Sequence, residues 1–198
     1  FSFQPYSRSN FDVVQSGEAP IGPRQEANAP FRVNFTGSGG LQRLRGGLGY
    51  RINDMISVGA TVDGIFGVIE SQRRTRWLDT QAIRDVVVSD GLQLSGFTGS
   101  LGTHLALADV FASDDAFSIG ASVTLPASLS GERFRALDED LARDTLSVQE
   151  GDVTIPWKGR LGVSYQPGSR WTFVFDGFYE PWSTFSSSFS SGTGPTTP

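Results

Sequence analysis

Chemistry needs side chains that can hold a proton, a metal or an attacking electron pair, and this chain has few arranged to do so. Its one histidine is His104 and it has no cysteine, so neither a zinc centre nor a nucleophile and base can be assembled from the usual groups. His104 falls on a polar strand face, where a hydrogen-bonding role is expected. Gly37-Ser38-Gly39-Gly40 is glycine-rich, but no lysine follows and no helix opens there, which argues against a phosphate-cradling loop. Asp138, Glu139 and Asp140, with Asp144 and Glu150, lack the Asp-x-Asp-x-Asp-Gly spacing of a calcium loop and read as a solvated acidic stretch. No metal site and no cofactor are expected, and an enzyme ranks last among the readings.

The remaining candidates are charges and aromatics. Arg43, Arg45 and Arg51 alternate with Leu44, Leu48 and Tyr50, and Asp63, Arg160, Asp176 and Glu180 fall on the corresponding polar faces of other segments. One reading is cross-strand pairing that rigidifies an interior. The other is a guide for a carboxylate headgroup, with arginine as the bidentate partner. Trp77, Leu78 and Ile83 sit beside Arg73, Arg74 and Arg76, where they would either receive an amphipathic acid or fix a loop to a rim. The candidate ligand set is therefore Arg43, Arg45, Trp77, Leu78, Ile83 and Arg160. A net charge of −5 speaks against a nucleic-acid partner.

The elements that must position these groups are strands. Ile56, Val58, Ala60, Val62, Phe66 and Val68 alternate with polar or small residues, as do Phe117, Ile119, Ala121 and Val123, and again Leu161, Val163 and Tyr165. No apolar run approaches the length of about 18 residues that a membrane-crossing helix needs, whereas a membrane strand needs only its lipid-facing side chains to be apolar. Tyr50, Trp157, Trp171, Tyr179 and Trp182 lie near strand ends, where interfacial aromatic girdles form. The fold expected is all-β, an antiparallel transmembrane β-barrel of the bacterial outer membrane.

About seven strands are expected, across residues 1–14, 30–52, 55–70, 92–107, 116–128, 154–166 and 171–184. Long charged connections near 15–29, 71–90 and 131–152 would face outward, and short turns at Asn53-Asp54, 108–115 and Pro167-Gly168-Ser169 would face the periplasm. Residues 1–185 would form the partial barrel and 186–198 a Ser/Gly/Thr-rich loop or tail. Apolar positions are odd at Phe31, Val33 and Phe35 but even at Leu44, Leu48 and Tyr50, so a β-bulge and strand kink are expected at Gly37, Ser38, Gly39 and Gly40.

The stretches from Arg32 to Gly67 and from Ile155 to Ser183 resemble the long-chain fatty acid transport porins of the FadL type, in particular divergent Bacteroidetes-like members. The second carries Gly-Val-Ser-Tyr-Gln-Pro before a turn and then Asp176, Trp182 and Ser183. The resemblance implies a fourteen-stranded barrel, of which about seven strands would be half. It also implies passive passage of a hydrophobic or amphipathic molecule, fatty-acid-like, with lateral exit at a kinked strand. Expected partners on this reading are outer-membrane lipid, a hydrophobic small molecule and the rest of the barrel. The alternative is a structural or docking barrel that holds a partner protein through its charged loops. A soluble β-sandwich is a third reading, against which the strand lengths speak.

Overall fold

The computed structural model describes residues 1–21, 27–78, 85–139, 142–168 and 170–189. These form one antiparallel sheet of 11 strands, β1 Ser2–Pro5, β2 Phe11–Ile21, β3 Ala27–Arg51, β4 Ile56–Trp77, β5 Val86–Ala108, β6 Asp115–Thr124, β7 Ala127–Glu139, β8 Ala142–Ile155, β9 Lys158–Pro167, β10 Phe173–Tyr179 and β11 Ser186–Ser187. The sheet is all-β apart from one 3-10 turn at Trp182–Thr184, and it is not closed on itself among the described residues.

Pairing reduces these strands to seven lines running up and down. β1 and β2 both pair β3, β6 and β7 both pair β5, and β8 and β9 pair β7 and β6 in turn. Residues Tyr6 to Asn10, Leu125-Pro126, Pro156-Trp157 and Glu180 to Phe185 are therefore interruptions inside single strand lines. Prolines at 5, 126, 156 and 181 stand at or beside those interruptions, because proline has no N–H to give the ladder.

Of the three unbroken strands, β3, β4 and β5, the first two bend on glycine. β3 and β4 stay in one register from Phe31 opposite Trp77 to Arg51 opposite Ser57. The β-bulge expected in β3 is thus absent from the β3–β4 pairing: no residue is inserted, and the bend is carried by left-handed backbone at Gly39 (φ 92°), Gly40 (φ 144°) and Gly67 (φ 156°). A side chain at Gly40 would run into the Ser7 carbonyl, and one at Gly67 into that of Gly40. The register slip lies instead in the facing line, where Pro5 pairs Gln42 but Phe11 pairs Gly37.

A crease thus runs across the sheet and divides it into two plates. The lower plate ends in the short turns, as expected. At Asn53 the side-chain oxygen accepts from the Met55 and Ile56 amides at 2.9 and 2.7 Å. Asp115 closes the turn before β6, its carboxylate accepting from the amides of Val110, Phe111 and Ala112 at 2.7, 2.9 and 3.1 Å.

The upper plate corrects the expectation of long loops. Much of 15–29, 71–90 and 131–152 is paired strand: β2 and β3 stay paired out to Ile21 and Ala27, β4 reaches Trp77 and β5 starts at Val86, and β7 and β8 pair out to Glu139 and Ala142. In the expected tail, Ser186 and Ser187 form β11 on β8, while 190–198 lie outside the described residues. Charged residues make these arms read as loop, yet a ladder satisfies the backbone whatever the polarity of the side chains.

Candidate functional site

The two faces of the lower plate differ sharply. Cross-strand pairs place Phe3, Leu44, Leu48, Val62, Phe97, Leu101, Val123, Leu161, Phe173 and Phe175 on one face, and all are exposed. Leu48 at 87% and Phe97 at 76% are close to fully bare, an apolar surface far larger than scattered hydrophobics explain. No described element of the chain covers it.

The opposite, inner face is polar, and a cavity of about 730 Å³, open to solvent, lies against it between Tyr6 on the first strand line and Glu180 on the last. Asp63 is buried to 1% exposure and takes a two-pronged bond from Arg45, Nε to Oδ1 and Nη2 to Oδ2, both at 2.6 Å. Arg43 reaches the same carboxylate at 3.9 Å and its guanidinium lies 5.7 Å from the Tyr6 ring centre. Lys158 pairs with Glu180 at 3.0 Å and sits over the Phe178 ring. Ser100 and Thr124 share a hydrogen bond across β5 and β6 at 3.0 Å. His104 and Arg160 also line the cavity.

At the crease the inner face turns apolar. One cross-strand row reads Leu41, Gly67, Leu94, Gly131 and Gly151, and the next Ile65, Gly96, Leu129 and Val153. Small residues set beside large ones let the large ones interlock, and Leu41, Ile65, Leu94, Ala127, Leu129 and Val153 form the buried core. This belt borders the polar cavity on its upper side, where Ala127 and Ile155 are shared by both. Beyond the belt the inner rows become charged again, with Arg133 and Arg135 on Asp90 at 3.5 and 2.9 Å.

The expected ligand residues do not converge. Arg43, Arg45 and Arg160 line the lower cavity. Trp77 and Leu78 lie at the far tip of β4, where Trp77 meets Phe31 with ring centres 5.7 Å apart and the Leu78 amide donates to the Pro30 carbonyl at 3.0 Å. Ile83 is outside the described residues. Of the two readings of the inner arginines, cross-strand pairing describes Arg45 and Arg43, whereas Arg160 has no ion-pair partner among the described residues. Gly37 is buried under the Phe11 ring, Ser38 and Gly39 are exposed, and Gly40 is packed against the Ser7 and Arg8 backbone. The buried Leu/Gly belt was missed because its leucines and glycines sit on five different strand lines. Its only signal in the sequence was an apolar residue breaking the polar phase at Leu41, Ile65, Leu94 and Leu129.

Among curated proteins and among solved structures nothing matches this chain. A family model, BamG, matches residues 1–195. That match overturns the resemblance to fatty acid transport porins, and with it the transport of fatty-acid-like molecules and the lateral exit at the Gly37 to Gly40 kink. The resemblance rested on alternation, a glycine kink and turn residues, which any curved antiparallel sheet requires and which do not separate one family from another. Matched over almost its whole length, the chain belongs to the BamG family.

Proposed function

We propose that this chain is a non-catalytic, partner-binding component of the outer-membrane assembly machinery, held in the bilayer by its lower plate. The observation that carries the reading is the family match across residues 1–195, to a family named for the BAM complex. The two plates support it. Lower strands such as β6 and β9 are 10 residues each, which at the usual tilt span about 25 Å, the height of an outer-membrane barrel's apolar band. Their exposed apolar face would meet lipid, and the polar inner face would be the interior of a barrel. Both outer strand lines have an unpaired ladder edge among the described residues, and within a bilayer those edges must be paired by further strands. The upper plate, past the band, would carry the docking surface.

The test is copurification. Affinity-tagged chain extracted in mild detergent should bring down the BAM complex in fixed stoichiometry, and removal of 72–89, the paired upper ends of β4 and β5, should release it without loss of the membrane-inserted protein. Recovery of the intact complex from the same membranes, with the chain migrating apart from it, would refute the reading.

A further inference from the structure

We propose that Arg32, Arg74 and Arg76, a basic ladder on one face of the upper β3–β4 pair, dock an acidic patch on a protein partner. The inference rests on the partner-binding reading above and deepens it by naming the surface. Register places Arg32 directly opposite Arg76 and Asn34 directly opposite Arg74, so the three arginines share a face. Two like charges directly opposed across strands are destabilising, and a fold gains nothing from the arrangement. The directly opposite positions on the flanking strands do not neutralise it: β2 offers Ser16 and Val14 beside Arg32 and Asn34, with Glu18 one row further out opposite Pro30, and β5 offers Val87 beside Arg74.

One local acid answers one arginine: Asp85 accepts from Arg76 Nε at 2.9 Å. Arg32 and Arg74 are exposed and have no ion-pair partner among the described residues. Other strand arginines do have an acid beside them, with Asp63 on Arg45 and Asp90 on Arg135. On this face two arginines without an ion pair, Arg32 and Arg74, flank one that has a single acid. A guanidinium fork suits a carboxylate or a phosphate equally well, so the height of the ladder chooses between them. Arg74 stands seven residues beyond Gly67 at the crease, about 23 Å along the strand and about 17 Å above the hydrocarbon edge once tilt is allowed for. The headgroup layer is only about 5–8 Å deep. Phospholipid phosphates fall short of the ladder, and a protein surface with carboxylates does not.

The experiment pairs Arg32→Glu with Arg74→Glu in one variant and uses Arg170→Glu, an exposed change beside a short turn, as the control. Binding of the full-length chain in detergent to the purified BAM complex is measured at low and high salt, and binding to lipopolysaccharide-containing vesicles is measured beside it. Unchanged heat-modifiable migration on gels verifies that each variant is folded. The expected result is wild-type binding that weakens with salt, a double variant about tenfold weaker with little salt dependence left, and an unaffected control. Equal binding by wild type and double variant would overturn the ladder and leave the partner-binding reading standing. Loss of vesicle binding with complex binding intact would overturn it in favour of a lipid surface. A wild-type chain with no affinity for the complex would sink both.

Discussion

At the residue scale the most consequential group is Asp63. It is buried, and two arginines converge on it from the neighbouring strand. Removing one partner of such a set leaves the others desolvated without an opposite charge, which costs more than the pair contributes by existing. Asp63→Ala should lower stability by about 3 kcal/mol in urea titrations of the refolded protein, while Arg160→Ala, exposed and without an ion pair, should change it by less than about 0.5 kcal/mol. Similar losses for both would mean that the Asp63 cluster is not a structural anchor. Asp115 makes a second prediction. Its carboxylate holds the three amides of the turn before β6, and an asparagine there has one acceptor oxygen in place of two. Hydrogen exchange at the Val110, Phe111 and Ala112 amides, compared at one pH, should be protected in the wild type and faster in an Asp115→Asn variant. Equal protection in both proteins would contradict this.

At the scale of elements, four strand lines are interrupted at the crease and three, β3, β4 and β5, run through it. Where proline sits, the ladder loses a donor and the line breaks; where glycine sits, the line bends and stays paired. Gly40→Ala should therefore destabilise by about 2 kcal/mol, since the added methyl meets the Ser7 backbone in a conformation alanine disfavours. Gly120→Ala, with nothing within 4 Å of the new methyl, should be close to neutral. A comparison of the two midpoints in one denaturant series settles whether the glycine at the crease is structural. The Leu/Gly belt has the same logic in reverse: Gly131 and Gly96 are small because the facing backbone and Leu129 occupy the space.

At the scale of the whole molecule, the division into an apolar-faced lower plate and a polar, charged upper plate gives the proposed membrane placement a direct readout. The chain has no cysteine of its own, so single cysteines report cleanly. In proteoliposomes, Leu48→Cys, Leu101→Cys and Phe175→Cys should resist a water-soluble maleimide, and Arg74→Cys and Ser89→Cys should label fast. Uniform labelling at all five positions would remove the lower plate from the bilayer and the rest of the proposal with it.

Alternation by itself determined much of this protein. Period-two apolar residues gave an all-β chain, turn residues gave the short connections at Asn53 and Pro167, and the greasy and polar faces of β4, β5, β6 and β9 came out as read. These are local properties, fixed by side-chain direction along one strand. What alternation cannot carry is the relation between lines. The prolines at 126 and 156 and the glycines at 39, 40 and 67 lie far apart in sequence, and only pairing sets them along one diagonal across the sheet. The phase change in β3 looked like a bulge because a single strand cannot show whether its partner also bends. Arg32 and Arg76 become neighbours only through a hairpin whose arms looked like loop, and Arg45 finds Asp63 only through register. Tertiary structure decided these points because electrostatics and packing act between residues that meet in space, whatever their separation along the chain.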